Sequence, residues 1–112
     1  MTMQTYTLPI DNSPDIQFEG ELLGTATTAR YNYHDPHQLE PNQRWTELAL
    51  YRTSSGKFVC HQSANTNKTG EHCFYSGKVC DTEEDVFEFF GNRWLAKSLY
   101  QDAGLDYVVV ID

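Results

Sequence analysis

Trp45-Thr-Glu-Leu-Ala-Leu-Tyr-Arg-Thr53, followed by Ser54-Ser55-Gly56 and Lys57-Phe-Val-Cys-His-Gln-Ser63, reads as a β-hairpin around which the rest of the chain can be arranged. Its first arm carries apolar groups on both faces, Leu48 and Leu50 on one and Trp45, Ala49 and Tyr51 on the other. A strand of that kind belongs in the interior of a sheet. Gly56 supplies the positive φ that a tight hairpin loop requires. With a three-residue loop between Thr53 and Lys57, Leu50 falls opposite Cys60 and Tyr51 opposite Val59.

Upstream, Thr5 to Ile10 is a short strand broken by Pro9, and Asp11-Asn12-Ser13-Pro14-Asp15 is a turn cluster. Ile16 to Ala29 reads as a longer strand, with Ile16, Phe18 and Leu22 at even spacing. Gly20 and Gly24 within it predict a bulge or a close backbone approach. Tyr31 to Arg44 is a loop, because Asp35-Pro36 and Glu40-Pro41 would interrupt any helix. Downstream, Asn65 to Gly70 is a polar loop. His72 to Tyr75, Ser76-Gly77 and Lys78 to Asp81 then read as a second hairpin, which echoes the first in Ser76-Gly-Lys-Val-Cys80. That turn would set Cys73 opposite Cys80, where a reversible disulfide could form, but in a reducing cytosol free thiols are expected.

Thr82 starts a helix as its N-cap, with Glu83, Glu84 and Asp85 at the positive end of the helix dipole and Val86, Phe89 and Phe90 as its apolar face. Gly91-Asn92 breaks the run. Asn92 is placed to cap a second helix, with Leu95 and Leu99 inward, Trp94 a further inward candidate, and Gly104 just past its end. Asp106 to Asp112 is β-branched and reads as a last strand. The expected fold is a single α+β domain over residues 1–112: an antiparallel β-sheet packed on one side by a C-terminal helical hairpin.

The net charge of −8 is uneven. Residues 81–112 hold 8 acids against 2 bases, whereas residues 45–80 hold 2 acids against 4 bases. Nucleic-acid binding needs clustered Lys and Arg to displace counterions from phosphate, so direct contact with nucleic acid is disfavoured. An acidic surface suits a basic protein instead, including one that itself handles nucleic acid. It also keeps a small domain in solution. No apolar run reaches the roughly 18 residues a membrane helix needs. The start, Met1-Thr-Met-Gln-Thr-Tyr6, has neither the basic nor the apolar region of a secretion signal. A cytoplasmic protein is expected, with no membrane partner.

Cys60-His61, His72-Cys73 and Cys80 supply five metal-ligand types, but neighbours on a strand point to opposite faces, which separates Cys60 from His61. The same geometry argues against a nucleophile–base pair there, and the three cysteines read as small hydrophobes. His34-Asp35-Pro36-His37 reads as a polar loop. The expectation is a non-enzymatic protein with no metal and no cofactor. A zinc- or thiol-dependent protein built on these hairpins is the alternative, and a structural homodimer a third reading. Candidate partner-binding residues are Asp81, Glu84 and Glu88, which recur at helical spacing as a negative stripe, and Tyr31 and Tyr33 beside the proline-bearing loop. A monomer or a homodimer is expected, the latter through the apolar edge of Tyr107 to Ile111.

Three stretches resemble a family. They are Phe18-Glu-Gly-Glu-Leu-Leu23, the hairpin Trp45 to Val59, and Phe89-Phe-Gly-Asn-Arg-Trp-Leu-Ala-Lys-Ser-Leu-Tyr100 with Ala103-Gly-Leu-Asp106. Together they are similar to the small EXLDI-type proteins of bacteria, plasmids and phages, over roughly residues 17–106. The chain departs from the motif that names the family, with Ala103-Gly-Leu-Asp-Tyr107 in its place. The resemblance transfers no site residue. It implies the company of mobile elements, some of whose small accessory proteins inhibit host defence. The reading that follows is a small acidic inhibitor or regulator of a nucleic-acid-handling complex, of the phage anti-defence or anti-CRISPR kind.

Overall fold

The computed structural model describes residues 3–106, 108, 110 and 111. Among the described residues, five strands run in chain order across one antiparallel sheet: β1 (Gln4–Leu8), β2 (Ile16–Thr27), β3 (Arg44–Thr53), β4 (Phe58–Thr66) and β5 (Phe74–Cys80). Helices α1 (Glu83–Phe90) and α2 (Trp94–Ala103) follow. The class is α+β, with both helices packed on one face, α1 against β4 and β5 and α2 against β2 and β3. Among the described residues no helix is long and apolar enough to cross a membrane.

The β3–β4 hairpin has the expected register, Leu50 opposite Cys60 and Tyr51 opposite Val59. Gly56 sits at φ 90° in its loop, and β3 is the central strand. Alternation then sorts each strand in two. Leu48, Leu50, Phe58, Cys60 and Cys80 turn towards the helices and meet Val86, Phe87 and Leu99, all buried. Burying each larger aliphatic of this set stabilises the fold by about 1.5–3 kcal/mol relative to leaving it exposed. The β2 ladder shifts register between Leu22 and Gly24. A side chain at Gly24 would stand 2.8 Å from the backbone nitrogen of Ala103, so this glycine lets α2 lie directly on the strand. Asp102 fastens the same contact, its carboxylate accepting the Thr25 N–H at 2.8 Å.

Thr82 caps α1, its hydroxyl accepting the Asp85 N–H at 3.2 Å. The helical hairpin is closed by Tyr100, whose hydroxyl donates to the Gly91 carbonyl at 2.6 Å while its ring meets Phe87 edge-on. Gly104 ends α2 in the left-handed region.

Several expectations are corrected. Ser76-Gly77 is no turn: β5 runs straight through it, pairing His61 with Gly77 and Phe58 with Cys80. Gly77 is there for room, since a Cβ would lie 2.7 Å from Ile10 Cδ1 and 2.9 Å from the Cys60 carbonyl oxygen. Cys80 therefore meets Cys60, Sγ to Sγ 3.8 Å, and not Cys73. Arg93, not Asn92, is the N-cap of α2, and it makes no side-chain capping bond. Trp94 points outward, 67% exposed, and Phe87 joins Val86 in the core. Asp106, Val108, Val110 and Ile111 belong to no strand. Tyr107, Val109 and Asp112, the rest of the expected last strand, lie outside the described residues.

Candidate functional site: an acidic helix and a concave sheet face

The candidate partner residues do not gather in one place: Glu84 and Glu88 lie on the helical side of the sheet and Tyr31 on the other. On the helical side, Glu84 and Glu88 lie one turn apart on α1, both exposed. Asp81 precedes the Thr82 cap and so stands outside the helix, where its carboxylate is 3.5 Å from Lys57 Nζ. Among the described residues Glu83, Glu84 and Glu88 take part in no ion pair. Exposed Trp94 follows α1 across the Gly91–Arg93 joint.

Tyr31 lies on the other side. The loop that carries it is organised by Gln43, whose buried amide donates to the carbonyls of Arg30 (2.7 Å) and Glu40 (3.0 Å) and accepts the Arg30 N–H (3.0 Å). Next to this clamp, Tyr31 pairs with Leu39 in a single β-bridge. Tyr33 is 93% exposed at the loop's outer edge. His34 and His37 belong to local turns, their N–H groups donating to the side chains of Asn32 and Asp35.

Tyr31 forms one wall of a cleft of about 550 Å³ on the helix-free face. The opposite wall exists because the sheet curls. The segment after β1 reaches across to β5: the Asp11 N–H donates to the Tyr75 carbonyl (3.0 Å), and the Tyr75 N–H donates to the Asp11 carboxylate (2.9 Å). These two bonds also occupy part of an edge that would otherwise offer unpaired backbone groups. His61 Nε2 is 2.8 Å from the Pro9 carbonyl oxygen. A carbonyl only accepts, so Nε2 carries a proton and donates it to Pro9. The His61 and Tyr75 rings stack at 6.0 Å. Tyr51 closes one end of the cleft, packed against Tyr6 and Phe18.

Between the walls lie the alternate residues of the core strands, Glu47, Ala49, Ser63 and Asn65. The Glu47 carboxylate accepts from Asn65 Nδ2 at 3.1 Å and takes part in no ion pair among the described residues. None of the lining residues is Lys or Arg. The pKa of the Tyr75 hydroxyl is raised, first by desolvation, then by Cys73 and by the negative charge of Asp11 and Glu47.

A second cavity of about 610 Å³ opens at one end of the sheet beside Trp45, His72 and Phe74. Its charged pair is already satisfied. Arg44 grips Glu71 through two nitrogens, and the same carboxylate accepts the Thr66 hydroxyl at 2.7 Å. These bonds hold the Glu71 carboxyl down at about 2.

The thiols do not form one cluster. Cys60 and Cys80 meet beneath the helices, and burial pushes the pKa of both upward, which keeps them protonated. Cys73 lies apart, near the Thr66 carbonyl. Among the described residues no group of three or more His, Cys, Asp or Glu is arranged to hold a metal ion.

The alternation of polar residues along β3 and β4 was the available signal for the cleft, but the arm and Tyr75 that complete it come from parts of the chain read as a broken strand and a hairpin. Set against known proteins, the chain matches no family model, no curated protein and no solved structure.

Proposed function

We propose that this chain is a small acidic, non-enzymatic binding protein that docks on the basic surface of a protein partner and inhibits or regulates a nucleic-acid-handling complex. The observation that carries the reading is the outer surface of α1, where Glu83, Glu84 and Glu88 stand exposed and make no ion pair among the described residues. The dipole accounts for Glu83 and Glu84 in the first turn, but its influence fades by Glu88. Trp94 adds an exposed aromatic of the type that anchors protein interfaces. The net charge of −8 favours the same class of partner and disfavours direct contact with nucleic acid. The resemblance to EXLDI-type proteins supports a mobile-element setting, and with it an anti-defence role of the anti-CRISPR kind.

The test is capture from a bacterial lysate containing defence complexes, followed by binding kinetics at two ionic strengths. The Glu84→Lys/Glu88→Lys double variant leaves the Asp81–Lys57 pair and the Thr82 cap in place. It is expected to keep its fold and to associate about tenfold or more slowly at low salt, while wild-type association fades as salt rises. Equal kinetics for the two proteins, with no salt dependence, would reduce the acidic surface to a solvated face.

A further inference from the structure

We infer that the concave cleft is a receptor for a guanidinium group, held by Glu47 between the rings of Tyr31 and Tyr75. This site is separate from α1, on the opposite face of the sheet, and stands without the reading of that helix. The cleft's volume, about 550 Å³, falls in the range of small-molecule and side-chain sites. Its chemistry is one-sided. Glu47 brings a negative charge that no cation among the described residues neutralises, and neither Lys nor Arg lines the walls.

The remaining polar groups are set to accept. Asn65 spends its amide hydrogens on Glu47 and Ser63, leaving its oxygen as an acceptor. His61 turns its Nε2–H to Pro9 and so offers that hydrogen to no ligand. An anion would face Glu47 and these lone pairs. An apolar guest would leave them without partners. A guanidinium satisfies them with several donors at once and lays its flat face on an aromatic ring.

The cleft is also braced before any ligand arrives. The Asp11–Tyr75 bonds fix the wall that the Pro9 arm provides, and the Gln43 clamp adjoins the start of the Tyr31 loop. Little ordering remains to be done on binding.

Two sources could supply the cation, an arginine side chain of a protein and a free guanidine. Amide-detected NMR titration of the whole chain separates them, using acetyl-Gly-Arg-Gly-amide, its citrulline counterpart and agmatine as probes. Saturable shifts at Glu47, Ser63 and Tyr75 are expected with Arg peptide or agmatine, and none with the neutral citrulline peptide. Tighter binding of the Arg peptide assigns a protein side chain, and tighter binding of agmatine a free guanidine. Glu47→Gln should weaken the better probe about tenfold or more. Tyr31→Ala should weaken it about three- to thirtyfold through loss of the cation–π contact. Citrulline binding as well as arginine, an unchanged affinity in Glu47→Gln, or no shifts with any probe would overturn the inference. If Glu47→Gln fails to fold, the citrulline contrast and Tyr31→Ala still decide it. The Glu84→Lys/Glu88→Lys variant should bind the probes as wild type does, so this site and the α1 surface stand or fall separately.

Discussion

The two faces of the central strands differ residue by residue. On β3, Leu48 and Leu50 are buried under the helices, while Glu47, Ala49 and Tyr51 line the cleft between them. On β4, Cys60 is sealed and His61, one residue on, reaches the Pro9 arm. Both sets share one backbone, so the difference is purely one of side-chain direction. The continuous core lies on the helical face, although Val59 and Leu8 are also buried on the other. The concave face keeps polar groups in contact with solvent, where a ligand can reach them. Substitutions on the two faces should therefore have separable effects.

Thiol chemistry should show the largest contrast. Cys60 and Cys80 are buried and held protonated, whereas Cys73 is half-exposed. A native-state labelling experiment with a maleimide should modify Cys73 first, with the other two about a hundredfold slower or more, because they wait for an opening of the core. Mass spectrometry that found all three modified at one rate would mean the helices do not seal this face.

Truncation comes next. Leu99→Ala removes a fully buried side chain and should cost about 2–5 kcal/mol in urea unfolding, whereas Glu47→Gln on the other face should stay within about 0.5 kcal/mol. Comparable losses would break the division between a stabilising face and a receptive one. Gly24→Ala tests how closely α2 lies on β2. The new methyl would meet Ala103 backbone at 2.8 Å, and a loss of about 1–3 kcal/mol is expected as the helix is pushed outward. An unchanged unfolding midpoint would show that α2 yields freely.

The smallest effect concerns the Arg44–Glu71 pair at one end of the sheet. The Glu71 carboxyl lies below its ordinary value of 4.5 in the folded state, at about 2, chiefly through hydrogen bonds from Arg44 and Thr66. Its contribution is fully present above pH 4.5 and is lost as pH falls towards 2. Glu71→Gln should lower stability slightly at neutral pH and flatten the acid limb in that window. Because the pair is exposed, the change should be small. A parallel pH profile for the two proteins would show that the pair adds nothing to the fold.

Where local chemistry decides, the sequence was legible. The β3–β4 register followed from period-two patterning and a loop with Gly56 at its positive-φ position. The start of α1 followed from a hydroxyl with three acids behind it, and the end of α2 from Gly104. The concave cleft was not legible, although Tyr31 was picked out. Its other members, Glu47, His61 and Tyr75, look like ordinary polar positions on strands until the sheet curls and an arm some 50 residues upstream of His61 meets it. Phe87 escaped notice because the helix meets the sheet along a broader apolar face than Val86, Phe89 and Phe90 define.

Gly77 shows where the boundary lies. Next to Ser76 it carries the same local signature as the Ser55-Gly56 turn, and the chemistry of a short segment cannot separate the two. Gly56 turns the chain because only glycine accepts φ 90° there without strain. Gly77 continues a strand because Ile10 and the Cys60 carbonyl occupy the space a side chain would need. Backbone conformational preference is a property of the residue and its neighbours, and the sequence carries it. Steric exclusion by a segment 67 positions away exists only after the sheet has curled, so the course of β5, the pairing of Cys60 with Cys80 and the cleft itself were decided by the tertiary fold.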